Sequence, residues 1–252
     1  MDKGVFLMEN RNFQLDTEWN VVHYPQQPTG FGILIIGDER SFVDKENSFW
    51  TQNEGRLALI NHFKQAGYTV FYSNLYGKNW GSDKAVRLAK QLYDYMMRTE
   101  ILNGKIHILA EGMGALVALK LVKEMGQGIR SVELLNPVFT LKDQLEHEKE
   151  NKFFYKKILK EIAISYGLDV KEVEKRFLNM DIQPNVPLNC PLNIIHILSG
   201  NRSYKQSELS SQLSTRWEEE GKSVSICYML PEKKSELNKY LINLFKAYEI
   251  IL

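Results

Sequence analysis

Four short apolar runs constrain this chain most: "FGILIIG" (31–37), "TVFY" (69–72), "KIHILA" (105–110) and "RSVELLN" (130–136). Apolar residues follow one another in these runs instead of alternating with polar ones. That pattern marks strands buried on both faces. Between them lie segments of helical period. "LALINHFKQAGY" spaces Leu57, Ile60, Phe63 and Ala66 along one side and stops at Gly67. "DKAVRLAKQLYDYMM" carries Val86, Leu88, Ala89, Leu92, Tyr95 and Met96 on one side, with Asp83 as the expected N-cap. "MGALVALKLVKEM" is a third helix, of small and apolar residues. Strand and helix alternating in this way imply a mostly parallel sheet with helices on both faces.

Two further strands are expected upstream, at "GVFLM" and "EWNVVHY". After residue 140 the rhythm breaks. Residues 140–185 are charged and helical with no strand-like run, so they form a helical insertion. Gly167 and Asp169 separate two helices within it. "PLNIIHILSG" restores a strand, "QSELSSQLSTRWEEEG" is a helix and "SVSICYML" the last strand. "SELNKYLINLFKAYEII" is a terminal amphipathic helix with Ser235 as its cap. The expectation is one α/β domain over 1–252.

Of the 252 residues, 44% are hydrophobic and 25% charged, enough for a sizeable core in one domain. The net charge of +1 gives no overall basic field for nucleic acid. Two cysteines, Cys190 and Cys227, do not make a disulfide framework, and both read as packing residues. "MDKGVFLMENRNF" lacks the pattern of a secretory signal. No apolar run approaches the roughly 18 residues of a membrane span. A cytoplasmic protein with no cofactor is expected.

"KIHILAEGMGALVALKL" has the form of a sharp strand-to-helix turn flanked by small residues. With "GILIIGD" before it and "AGYTVFYSNLYGKNWGS" between, it resembles the α/β-hydrolase superfamily, of the serine hydrolase and lipase–esterase kind. "GILIIGD" corresponds to the strand leading to the oxyanion loop. Gly77 and Gly81-Ser82 stand where the family has D-x-R-G-x-G-x-S. The resemblance covers about residues 30–252 and implies an α/β-hydrolase fold with a helical lid across 140–185.

The same resemblance locates three catalytic positions. In small-x-nucleophile-x-small, Ala110 and Gly114 are the small residues and Gly112 takes the nucleophile's place. The acid should follow the seventh strand, where Asn201, Arg202 and Ser203 stand. An acid after the sixth strand is a known variation, but "ELLNPVF" has none. The histidine belongs in "LPEKKSE", which offers Glu232, Lys233 and Lys234. No histidine follows His196. Serine, acid and base are all missing, although nucleophilic catalysis of this type needs the three together.

Other chemistries stay open. Ser73, Ser199 and Ser203 lie at strand ends, and a serine paired with Lys234 is one alternative. Asp38 and Glu111, joined by Glu232, form a possible carboxylate cluster for acid/base work or cation binding. Asp38 also puts negative charge where an oxyanion hole needs donors. "GMGALV" with Glu133 matches a dinucleotide fingerprint only in part, because Val117 stands where glycine or alanine is needed. His23, His62, His107 and His196 are expected in structural roles, and His147 on a solvated face of the insertion.

These readings give a catalytically silent hydrolase-fold protein that binds a small ligand or a protein partner. The expected cleft is built from Gly37, Asp38, Ser73, Glu111, Gly112, Met113, Asn201, Ser203 and Glu232. The alternatives are a hydrolase of an ester, thioester or amide with a non-standard constellation, and a non-hydrolytic enzyme using a carboxylate as general base.

Overall fold

The apolar runs become the centre of an eight-stranded sheet in the computed structural model, which describes residues 9–178 and 189–249, with backbone alone for 200–205. The strands are β1 (Asn10–Leu15), β2 (Glu18–His23), β3 (Gly32–Ile36), β4 (Thr69–Ser73), β5 (Ile106–Glu111), β6 (Ile129–Leu135), β7 (Leu192–Ile197) and β8 (Val224–Met229). Their order across the sheet is β1-β2-β4-β3-β5-β6-β7-β8. β2 runs antiparallel to both neighbours, and β4 through β8 are parallel.

The helices are α1 (Phe49–Gln52), α2 (Glu54–Gln65), α3 (Asp83–Thr99), α4 (Gly114–Met125), α5 (Leu141–Glu148), α6 (Lys152–Tyr166), α7 (Val170–Val173), α8 (Gly200–Glu219) and α9 (Leu237–Ala247). Alternate residues of β3 explain why its sequence is continuously apolar. Leu34 and Ile36 pack with residues of α3, α4 and α8, including Leu92, Val117 and Trp217. Ile33 and Ile35 face the other way, toward α1, α2 and α9, with Trp50, Phe63 and Phe245. A third apolar cluster joins Trp80 and Met113 to the helical insertion through Leu145, Ile158 and Ile162.

Several local expectations change. β1 was hidden in the polar run "NRNFQL"; it is an edge strand, and only Phe13 and Leu15 pack on the core. The strand expected at "GVFLM" lies outside the described residues. Ser82, not Asp83, is the N-cap of α3. Asp83 is its first residue, where its charge suits the helix N-terminus. Leu57 is exposed on α2, whose buried residues are Leu59, Ile60 and Phe63. Ser235 belongs to a 3-10 turn at Pro231–Glu236, and Glu236 takes the cap position of α9.

The insertion follows the predicted break. α6 ends at Gly167, in the left-handed region at φ 64°, and Asp169 starts α7 with a capping box to Glu172. A π-helical turn, Glu174–Leu178, ends the described part of the insertion, so the expected boundary at 185 falls outside it. Among the described residues no helix is long and apolar enough to cross a membrane.

Candidate functional site

The sheet register assembles the site. Ile36 of β3 lies beside Ala110 of β5 in parallel pairing. Two residues further on, Asp38 and Gly112 therefore meet at the carboxyl ends of the two strands. Asp38 Oδ1 accepts a hydrogen bond from the Met113 N–H at 2.9 Å.

Gly112 makes the turn at φ +53°, a left-handed conformation that costs glycine no steric strain. Its amide donates to Leu135 O at 3.0 Å and its carbonyl accepts from Val138 N at 2.9 Å. A side chain here would enter the space of the Asp38 carboxylate: a Cβ would lie 2.6 Å from Oδ2 and closer still to Oδ1. Gly114 answers a different need. Helix α4 passes so near β3 that a Cβ would sit 2.8 Å from the Gly37 carbonyl and nearer to that of Ile36. The two glycines thus serve the turn and the helix–strand approach respectively.

Glu111 ends β5 beside this turn. Its carboxylate forms an ion pair with Arg56 of α2, and the Arg56 guanidinium lies 5.0 Å from the Trp50 ring. Burial pushes the Glu111 carboxyl above its ordinary value. Arg56 opposes that, the charge of Asp38 adds to it, and Lys234 opposes it. Lys234, at the place of the expected histidine, thus contributes positive charge toward Glu111. It resides in the 3-10 turn after β8.

Asp38, Glu111 and Gly112 form the floor of a cleft of about 360 Å³, with Asn136, Phe154 and Lys157 on its walls. Asn136 adopts φ 45°, and its side-chain oxygen accepts from the Ile197 N–H at 2.8 Å. Lys157 lies 4.0 Å from Glu39 and 3.8 Å from Glu161. α6 is tied to the loop before α3 by Glu161, which accepts from Lys78 Nζ at 2.5 Å and Trp80 Nε1 at 3.1 Å. Tyr166 OH adds hydrogen bonds at 3.1 Å to the carbonyls of Trp80 and Gly81.

The Met113 side chain, Gly37, Ser73 and Glu232, also expected at the cleft, do not line it. Met113 contributes its N–H, but its side chain is buried in the third apolar cluster. Gly37 is backed by Ser41 and Trp50 and does not line the cleft. Ser73 is buried, and its Oγ accepts from the Leu75 N–H at 3.2 Å. Glu232 is exposed in the turn after β8, away from the cleft lining. Asn201 and Ser203 belong to the first turns of α8, not to a loop, and their side chains lie outside the described ones.

No described histidine lines the cleft. His23 shares a hydrogen bond with Tyr72 OH at 2.9 Å and His196 one with Ser210 Oγ at 2.6 Å. Burial depresses both to about 4. His107 Nδ1 contacts Ser131 Oγ at 2.7 Å inside the sheet. His62 is exposed on α2, and His147 lines a separate groove between α5 and α8. Cys190 is buried, which together with Glu133 pushes its thiol up to about 12. Cys227 is only partly buried.

Arg56 was not anticipated, although it left a signal. It sits in the first turn of α2, where the helix N-terminus mildly disfavours a cation. Phe154 and Lys157 gave no comparable signal, because their place depends on how α6 crosses the cleft.

No protein-family model matches the chain, and no curated protein is similar to it in sequence. Solved structures do match. Est1E from Butyrivibrio proteoclasticus superposes with a TM-score of 0.63 at 11% identity, over 96% of this chain and 99% of that one. A thermostable carboxyl esterase from Bacillus coagulans gives 0.59 at 11%, over 96% and 99%. The mouse α/β hydrolase domain-containing protein 10 gives 0.58 at 11%, over 95% and 99%. With the strand order and the turn at Gly112, these likenesses establish that the chain has the α/β-hydrolase fold.

Proposed function

We propose that this chain is a hydrolase-fold protein without serine-hydrolase chemistry, which binds a small ligand or a protein partner in the cleft above Gly112. The carrying observation is the Asp38 carboxylate. In hydrolases of this fold, the amide after the nucleophile helps stabilise the developing oxyanion. Here the corresponding Met113 N–H is already donated to Asp38, which also fills the space a residue-112 side chain would need. The helical insertion acts as a lid over the cleft, and the setting is cytoplasmic.

A thermal-shift screen of small metabolites tests this reading. A hit whose shift disappears in Glu111→Gln or Lys157→Ala supports it. Absence of any hit, together with no partner recovered by pull-down, counts against it.

A second reading, hydrolysis of an ester, thioester or amide by another constellation, is supported by the esterases among the structural matches. Turnover of p-nitrophenyl esters above background, or a fluorophosphonate adduct on any serine, selects this reading over the first.

A further inference from the structure

The outward face of α6 combines large apolar side chains with lysines that no described carboxylate pairs. Phe153 is 74% exposed and Ile164 78%. They are eleven residues apart, about three turns, so they share one side of the helix roughly 16 Å from each other. Lys152, Lys156 and Lys160 are exposed and lie along the same side, between and beside them. The helix holds four lysines and one glutamate. That glutamate, Glu161, is turned away toward Lys78 and Trp80. The fourth lysine, Lys157, faces Glu39 and Glu161 at the cleft rim. No described carboxylate pairs with Lys152, Lys156 or Lys160.

Such a face does not suit a protein partner. Lysine is depleted from the cores of protein interfaces, where its desolvation is costly. Here lysines occupy the middle of the face and separate the apolar groups. On an anionic bilayer the same pattern is favourable. Aromatic and aliphatic side chains enter the headgroup–acyl boundary, while lysine stems lie along it with their ammonium groups at the lipid phosphates. Phe154, 45% exposed and 5.5 Å from Phe153 in an edge-to-face contact, continues the apolar surface to the cleft wall.

We infer that the outer face of α6 docks this protein on an anionic membrane surface, with Phe153 and Ile164 inserted and Lys152, Lys156 and Lys160 at the lipid headgroups. The association is peripheral, and it stands on this face alone, whether or not the cleft binds a ligand.

Co-sedimentation with vesicles tests it. The full chain is expected to pellet with equimolar phosphatidylcholine–phosphatidylserine and to remain in solution with phosphatidylcholine alone. Added salt should weaken the association, because exposed charges are screened beyond about 10 Å at 0.1 M. Phe153→Ser/Ile164→Ser and Lys156→Glu/Lys160→Glu should each lower the bound fraction about tenfold or more. All four positions are exposed, so both variants should keep the wild-type circular dichroism and melting temperature. Failure to pellet with the anionic vesicles, or binding indifferent to both variants, overturns the inference. So does a concentration-dependent dimer in light scattering that Phe153→Ser/Ile164→Ser abolishes, which would assign the face to a second copy of the chain.

Discussion

Asp38 and Met113 are joined by a hydrogen bond from the Met113 N–H to Asp38 Oδ1 at 2.9 Å, and the carboxylate so held occupies the space a side chain at residue 112 would need. The carboxylate is thereby coupled to the turn. Gly112→Ser should destabilise the protein by about 1–3 kcal/mol, from the left-handed backbone and the collision with Asp38. Asp38→Ala should relieve the collision, so the double variant is less destabilised than the two single effects sum to. Denaturant titration of the four proteins measures the coupling. Strict additivity would mean that Asp38 moves aside without cost.

Gly112→Ser, alone or with Asp38→Ala, should gain no activity toward esters, since no described histidine lines the cleft. Esterase activity in either variant would show that a base reaches the turn by another route.

Arg56 and Glu111 form a mostly buried pair, with side-chain exposures of 18% and 15%. Removing one partner strands the other charge. Arg56→Met should therefore cost about 3–5 kcal/mol, and Arg56→Met/Glu111→Leu should recover much of that loss. If the single variant melts like the wild type, water is solvating Glu111 and the pair contributes little.

Glu133 gives the clearest pH dependence. It is fully buried within the sheet, and burial raises its carboxyl to about 8 despite hydrogen bonds from Ser131 Oγ at 2.7 Å and Asn193 Nδ2 at 3.2 Å. The unfolded chain releases this proton near 4.5, whereas the folded chain holds it to about 8. Between those values the folded state binds more protons, so stability falls as pH rises, by a few kcal/mol in all. His23 and His196 act on the acid side. Each is about 4 when folded against 6.5 ordinarily, so their contribution is present above 6.5 and is lost as pH falls toward 4. Chemical denaturation between pH 7 and 9, above the range where the histidines act, should show the alkaline loss in the wild type and a flatter profile in Glu133→Gln. An equal slope in both would place the titration on another group.

Glu161 ties α6 to the strained loop before α3, where Leu75, Tyr76 and Trp80 all have positive φ. Glu161→Ala removes the partner of Lys78 and Trp80. Hydrogen exchange should then quicken across α6 and leave the sheet strands unchanged. Faster exchange throughout the chain would instead mean that the insertion and sheet open as one unit.

The parts of this fold legible in the sequence are those set by burial on two faces. β3 through β6 are legible because all their residues except Glu111 and Arg130 are buried. The elbow was visible because Ala110 and Gly114 had to be small. β1 was not, since an edge strand needs few apolar residues, and "NRNFQL" supplies only two. The start of α8 is not legible because Gly200 and Asn201 have turn-like chemistry, yet the helix begins at Gly200. The sequence shows Asp38 as a charge at the oxyanion position, but its engagement with Met113 depends on the β3–β5 register. Ser73 and Glu232 show the converse: each is near the carboxyl end of a strand, but side-chain direction puts neither at the cleft.

The tethering of Asp38 has a consequence for what the cleft can recognise. A carboxylate held on its own chain presents itself to the Met113 amide at an effective concentration of about millimolar or more. Free acids, and phosphonate or boronate mimics of a tetrahedral intermediate, must displace it to reach that amide. The pocket therefore carries a built-in competitor against the compounds that would ordinarily profile a hydrolase. On the reading proposed above, the guests that fit leave Asp38 in place and make their contacts with Asn136, Phe154 and Lys157 on the walls.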